Sequence, residues 1–210
     1  MRKKLSKGKQ KTASEKLFSN IKGRVFVFID AANLEKSVKD IGIYPPRMRK
    51  IPPGYRWKRP KKGLFKVDYK KLKRFFAKNS NLRRITFYTV RFDNKKHDYF
   101  LTMLKASSYK LVTKPLKIIK THDLERGDIR KANFDVEISV DTVSMIDKFD
   151  TFVLFSGDSD FAYLLDFLKT QKKRTIVISR RGHVAKELIA STGFYQDILK
   201  LRTEVLRKTH

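Results

Sequence analysis

Two short apolar runs in this chain each end in acidic residues and continue into a helical pattern. The first, Val25–Ile29, leads into Asp30, and the second, Phe152–Phe155, leads into Asp158 and Asp160. Short β-branched and aromatic runs followed by helical periodicity are typical of buried strands that feed helices. In open α/β sheets, ligands bind at the carboxyl ends of such strands. We therefore expect these aspartates at the ligand-binding edge of a sheet.

The rest of the chain repeats this alternation of short strands and helices. Further strands are predicted over residues 84–90, 110–113 and 175–179, with an edge or hairpin segment over 116–119. Helices are predicted over residues 34–41, 69–77, 94–107, 134–146, 161–170 and 184–191. In the helix over 134–146, the spacing of Val136, Val140 and Val143 predicts a core-facing stripe. The alternation favours parallel βαβ units and an α/β fold with a central, mainly parallel sheet.

The charge balance indicates a polyanionic partner. The 210 residues include 50 Lys and Arg against 21 Asp and Glu, a net charge of +29, which is typical of nucleic-acid binding. No apolar run approaches the roughly 20 residues that span a bilayer, so we expect no membrane partner. The absence of cysteine excludes thiolate metal sites and fits a reducing compartment. The N-terminus lacks the apolar stretch of a secretory signal, and we predict a cytoplasmic protein.

Three segments are expected. Residues 1–22 form a basic, flexible arm that either binds a polyanion or is simply solvated. Residues 23–200 form the folded domain, which is long enough for one core of moderate size. Residues 201–210 form a basic C-terminal tail.

A proline-rich insertion over residues 42–66 interrupts the predicted domain. It contains five prolines and nine Lys or Arg residues but no acid, and loops of this length are usually functional or disordered. Its cations could follow a phosphate backbone while its aromatic rings stack on bases; alternatively, the rings anchor the loop onto the domain. The predicted nucleic-acid contacts are Arg47, Arg49, Lys50, Arg56, Trp57, Lys58, Arg59, Lys61 and Lys62, together with Lys131.

Each acidic group taken alone has a structural explanation, because Asp, Ser and Asn cap helices. If the two acid-ending strands are neighbours, however, their carboxylates converge and raise one another's pKa. A bound Mg²⁺ or Mn²⁺ ion, which prefers oxygen ligands, would remove that penalty. Asp135, at the start of its helix, is the expected third contributor. Asp141 lies about 600° further around an ideal helix, so it is expected either to support the site without facing the same ion or to bond to a neighbouring element. Glu137 is expected to face solvent.

These motifs together resemble one known family. Asp30-x-x-Asn33, Asp135 with Asp141, and the run Ser156 to Phe161 are similar to the NYN domain, the LabA-like group of the PIN-like nuclease superfamily. The resemblance covers about residues 24–199. It implies a Rossmann-like three-layer α/β/α sandwich in which the first and fourth predicted strands are adjacent.

The resemblance also implies a function and a site. It suggests a Mg²⁺- or Mn²⁺-dependent ribonuclease, with RNA as partner, and a homodimer is one assembly that it allows. The implied metal ligands are Asp30, Asp135, Asp158 and Asp160; these four and Asn33 form the implied catalytic set. Asp141, Ser156 and Ser159 would support these residues without binding the ion.

Three functions remain open on this basis. The first is an endoribonuclease that leaves 5′-phosphate and 3′-hydroxyl products. The second is a nucleic-acid-binding module with little or no turnover, which the net charge would make salt-sensitive. The third, a phosphohydrolase of small substrates, fits the charge less well. The four aspartates favour the enzyme, because a pure binder has no use for an anionic pocket facing phosphate.

Overall fold

A computed structural model describes residues 11–39, 41, 64–119, 129–131 and 133–209. The strands are β1 (Arg24–Asp30), β2 (Phe65–Val67), β3 (Asn81–Arg91), β4 (Lys110–Pro115), β5 (Lys117–Ile119), β6 (Ile129–Lys131), β7 (Thr151–Phe155), β8 (Arg174–Ser179), β9 (Phe194–Asp197) and β10 (Leu206–Lys208). The helices are α1 (Ala13–Ser19), α2 (Ala31–Lys39), α3 (Tyr69–Asn79), α4 (Lys95–Ala106), α5 (Asp135–Ser144), α6 (Ala162–Thr170), α7 (Lys186–Ser191) and α8 (Arg202–Val205). Short 3₁₀ turns cover Ile146–Lys148, Ser159–Phe161 and Ile198–Leu201.

Six strands form one parallel sheet in the order β4-β3-β1-β7-β8-β9. Strand β1 lies between β3 and β7, and its register pairs Ile29 with Phe155. The adjacency of the two acid-ending strands is therefore confirmed, as is the predicted α/β class. Because the strands are parallel, Asp30 and the segment after Phe155 leave the same edge of the sheet side by side.

Helices cover both faces of the sheet, which explains why its strands are apolar on both sides. Along β1, Val25, Val27 and Ile29 belong to one core with residues of α2, α3 and α4. The alternate residues Phe26 and Phe28 belong to a second core with residues of α5, α6 and α7. The fold is therefore the expected three-layer α/β/α sandwich.

Both chain ends differ from the predicted organisation. Helix α1 begins with a capping box formed by Thr12 and Glu15, and Leu17 is completely buried in the core. The predicted flexible arm is thus wrong from Thr12 to Lys22, where the chain belongs to the folded domain. The capping box and the packing of Leu17, Phe18 and Ile21 against the core order this basic segment.

The predicted C-terminal tail is also wrong within the described residues. Leu201, Val205 and Leu206 are buried in the same core as Leu17. Strand β10 pairs antiparallel with β2, so the last part of the predicted insertion, residues 65–66, is a strand of this small sheet. The hairpin segment is confirmed, because β5 pairs antiparallel with β6.

Helix α5 packs on a different face from the one predicted. Val136, Val140 and Val143 are 72%, 60% and 42% exposed, respectively. The buried face instead consists of Phe134, Ile138, Thr142 and Met145. Both patterns have helical spacing, but Phe, Ile and Met together bury more apolar surface than three valines, and this larger burial sets the rotation of the helix.

Among the helices that the structure describes, none combines the length and the apolar character that a membrane span requires.

Candidate metal centre

Asp30 joins the end of β1 to the start of α2. Its side chain is only 9% exposed, and its Oδ1 accepts a hydrogen bond from the backbone N–H of Asn33 at 3.2 Å. This is the helix-capping contact, and it starts α2 at Ala31, three residues earlier than predicted. Its Oδ2 accepts a hydrogen bond from the Ser156 hydroxyl at 3.2 Å. The same carboxylate therefore caps α2 and lies at the acidic edge of the sheet.

Asn33 ties the two strand ends together. Its side-chain oxygen Oδ1 accepts a hydrogen bond from the backbone N–H of Gly157 at 2.8 Å. Ser156 adds a second link, because its hydroxyl donates to Asp30 Oδ2 while its Oγ accepts from the backbone N–H of Asp158 at 3.3 Å. The segment after β7 is therefore held against the start of α2 by side chains from both elements.

Three of the four predicted metal ligands form one group, which we call the carboxylate cluster: Asp135, Asp158 and Asp160. Their ligand oxygens all lie within 4.8 Å of one another. Asp158 caps the 3₁₀ turn by accepting from the backbone N–H of Asp160 at 3.2 Å. Asp135 reaches the cluster from the first turn of α5, where Asn133 Oδ1 accepts from its backbone N–H at 2.8 Å. Asp30 lies beside this cluster and is not a member of it.

The pKa values of Asp30 and Asp135 reflect this crowding. Burial is the main cause that raises the pKa of Asp30, and the charges of Asp135 and Asp158 raise it further, against the hydrogen bonds from Asn33 and Ser156. Burial also raises the pKa of Asp135, with Asp158 and Asp160 acting in the same direction. The carboxylates are therefore held together at an electrostatic cost.

The donor set suits a hard divalent cation. All the convergent ligand atoms are carboxylate oxygens, which Mg²⁺ and Mn²⁺ prefer over nitrogen or sulfur ligands. A cation would also offset the like-charge repulsion that raises the pKa of Asp135. The carboxylate cluster therefore fits such an ion.

The other predicted site residues lie in different surroundings. Asp141 accepts a hydrogen bond from the buried Tyr88 hydroxyl at 2.9 Å, which links α5 to β3, and it is not a member of the carboxylate cluster. Glu137 does not simply face solvent, because Lys114 Nζ lies 2.7 Å from its Oε1. Ser159 begins the 3₁₀ turn between Asp158 and Asp160. Lys131 is in β6, and the predicted contacts from Arg47 to Lys62 lie outside the described residues.

Gly157 is a residue of this site that the sequence motifs did not single out. A Cβ atom at this position would overlap the backbone oxygen of His183. The two segments cannot simply separate, because the backbone oxygen of Gly157 accepts from Ala185 N–H at 2.9 Å. Only glycine therefore allows the loop that carries Asp158 to pack this closely.

We expect Gly157→Ala to lower both stability and divalent-ion affinity. Overpacking of this kind costs about 1–3 kcal/mol of unfolding free energy, or roughly 2–4 °C in melting temperature per kcal/mol for a chain of this size. Thermal unfolding with and without Mn²⁺ measures both effects. Gly193→Ala is the comparison, since its Cβ would lie 3.1 Å from Thr175 O and should cost less. Equal stability of Gly157→Ala and wild type would contradict the steric argument.

The parallel α/β/α sandwich with a carboxylate cluster at the carboxyl edge of its central strands matches the PIN-like fold that the sequence motifs implied. The NYN domain family model matches residues 24–199, and the chain belongs to this family.

Two comparisons describe the relationship further. The chain is similar to the Low amplitude and bright protein LabA of Synechococcus elongatus, with 31% identity over 147 residues, or 68% of this chain and 77% of the relative. It also resembles the crystal structure of a protein of unknown function from Vibrio parahaemolyticus. That likeness has a TM-score of 0.61 and 18% identity, and covers 83% of this chain and 92% of the other. At this identity, the structural likeness shows the fold alone.

Proposed function

We propose that this protein is a metal-dependent endoribonuclease. The observation that carries the proposal is the carboxylate cluster, held beside the buried Asp30 in a chain whose net charge is +29. Anionic side chains at a ligand-binding edge repel phosphate unless a cation lies between them. Membership of a PIN-like nuclease family supports the same conclusion.

The residues of the site have different roles. Asp135, Asp158 and Asp160 would hold one Mg²⁺ or Mn²⁺ ion, and the chemistry that such an ion supplies is activation of water and neutralisation of charge at a phosphoryl group. Asp30 adds a buried negative charge next to these ligands. Asn33 and Ser156 hold the end of β1 and the loop after β7 together, so that Asp30, Asp158 and Asp160 keep their relative positions.

Hydrolysis by such a site would add water across the bond between phosphorus and O3′. Water attacks phosphorus, the bond between phosphorus and O3′ breaks, and the departing oxygen takes a proton. The products are then a 5′-phosphate and a 3′-hydroxyl. The excess of Lys and Arg brings the polyanion to the protein and makes its binding dependent on salt.

The second candidate is a nucleic-acid-binding module without significant turnover. The net charge of +29 favours it, because charge of this size binds phosphate backbones without any chemistry. The carboxylate cluster favours the enzyme, since binding alone does not require acidic residues to converge.

The purified full chain with end-labelled single-stranded RNA separates these two functions. We expect cleavage in Mn²⁺ or Mg²⁺, none in EDTA, and restored cleavage when the metal is added back. The cleaving activity should follow the protein peak on a sizing column, and the products should carry 5′-phosphates. RNA binding that persists in every metal condition without any cleavage would favour the binding module.

A further inference from the structure

A cavity of about 990 Å³ lies between α2, β2 and α4. Ala32 lines its wall and follows Asp30 by two residues, so the cavity lies next to the sheet edge that carries the acidic site. Glu35 lines it one turn along α2, about 6 Å along the helix axis from Ala31. Its volume is in the range of cavities that bind small organic groups.

The lining combines aromatic rings with cations. Phe65 and Phe100 are partly exposed, and both line the cavity. The cations around them are Lys36, Lys39, Lys66, Lys70 and Arg207. Aromatic faces stack on unpaired bases, and cations bind the phosphates that flank them. This mixture is suited to a nucleotide within a single strand.

Two acidic residues, Glu35 and Asp68, also line the cavity. Asp68 Oδ1 caps α3 by accepting from the backbone N–H of Lys71 at 3.0 Å. The Tyr69 hydroxyl donates a hydrogen bond to Glu35 Oε1 at 3.0 Å, which fixes the carboxyl group of Glu35. Its Oε2 has neither a hydrogen bond nor a salt bridge with any residue that the structure describes. Glu35 is an exposed residue that lines the cavity, so this second oxygen is open to a ligand.

The direction of hydrogen bonding restricts the ligand. An ionised carboxyl group only accepts hydrogen bonds, and it has two oxygens with which to do so. Guanine is the base with two adjacent N–H donors on its Watson–Crick edge, at N1 and N2. Uracil has one N–H group between two carbonyl oxygens, which a carboxylate repels. In adenine and cytosine, the amino group lies next to an acceptor nitrogen.

We propose that this cavity binds one unpaired base of the RNA substrate, and that Glu35 selects guanine there. The inference rests on the proposed function, since it takes RNA as the substrate. The rings of Phe65 and Phe100 provide the stacking surface. The surrounding lysines offset the repulsion between Glu35 and the RNA backbone.

Binding to RNA that is not cleaved tests this selection. The probe is a fluorescent uridine octamer with one central position varied as guanosine, inosine or uridine, bound to Asp158→Asn protein. We expect guanosine to bind about 5- to 150-fold more tightly than uridine, the range for a good bidentate contact. Inosine, which lacks the N2 amino group, should bind between the two.

Adding Glu35→Gln to this protein should reduce the difference between guanosine and uridine to about twofold or less. Gln offers one acceptor and one donor, and its oxygen can still accept from Tyr69. The control Asp147→Asn removes one negative charge from an exposed side chain and should leave the preference unchanged. Lys36→Ala should weaken all octamers alike and reduce the salt slope by about 1.

Two results would overturn the selection. One is equal affinity of the parent protein for the guanosine and uridine octamers, and the other is an unchanged preference after Glu35→Gln in protein with an unchanged melting temperature. Failure to bind any RNA would overturn the proposed function together with this inference. RNA binding without base preference would overturn the inference alone.

Discussion

Asp158→Asn is expected to reduce metal-dependent RNA cleavage at least about 100-fold and to leave the fold intact. The substitution replaces a carboxylate oxygen of the cluster with an amide nitrogen, which is not a ligand for Mg²⁺. The helix-capping contact survives, because the remaining side-chain oxygen can still accept from the backbone N–H of Asp160. Loss of activity would then report loss of the metal site and not loss of structure.

The measurement is the cleavage rate at saturating RNA over a range of Mn²⁺ concentrations. Asp147→Asn is the matched control, since it makes the same change of charge on an exposed side chain near the opposite end of β7. RNA binding in EDTA should be unchanged or slightly tighter in Asp158→Asn, because a negative charge has been removed. Undiminished cleavage by this variant would show that the carboxylate cluster is not the catalytic site.

Asp30→Asn is expected to move activity and stability in opposite directions. Asp30 is buried, and its pKa is raised by that burial and by neighbouring carboxylates, so its ionisation opposes folding at neutral pH. An amide removes the charge; its oxygen can still accept from Asn33 N–H, and its NH₂ group can donate to Ser156 Oγ, the reverse of the wild-type direction. We expect about 1 kcal/mol of added stability without metal, or a rise of roughly 2–4 °C in melting temperature. Cleavage should fall about 10- to 100-fold, as for residues that support metal ligands.

The stability gain of Asp30→Asn should depend on pH in a defined direction. A carboxyl group with a raised folded-state pKa binds its proton more tightly in the folded protein than in the unfolded chain. The wild-type charge therefore lowers the free energy of unfolding fully at neutral pH. This destabilisation decreases as the pH falls through the raised folded-state pKa, and it is absent below the unfolded-state pKa. Melting temperatures of the wild type and of Asp30→Asn, measured from pH 7 to pH 4, should therefore approach each other as the pH falls. A variant less stable than wild type at pH 7 in EDTA would show that Asp30 supports the fold through its charge.

Much of this site could be predicted because its signals are local. Apolar runs followed by Asp30 and by Asp158 mark strand ends, and parallel strands place such ends at one edge. The capping and metal-site interpretations seemed to be alternatives at the level of sequence. In the structure, Asp30 and Asp158 each cap a helical turn and also belong to the acidic edge. One carboxylate has several lone pairs and can do both.

Predictions failed where packing between distant segments decided the outcome. The valine stripe of α5 and the stripe that contains Ile138 have the same helical period, so periodicity alone could not choose between them. The basic residues near both chain ends suggested segments exposed to solvent. Leu17 and Val205 from these segments are nevertheless buried in a common core. Individual apolar residues among many lysines are a weak local signal, although each contributes substantially when buried.

The sequence by itself determined the α/β class, the strand ends that carry acid and the net charge of +29 that favours a polyanionic partner, since these depend on short-range pattern and total charge. Only the tertiary structure decided which carboxylates converge, with Asp135, Asp158 and Asp160 in one cluster and Asp30 beside it. It also decided the need for glycine at position 157, where two loops 26 residues apart in sequence touch, and the cavity around Glu35. These features are distances between segments that the chain brings together only when both faces of the sheet are buried.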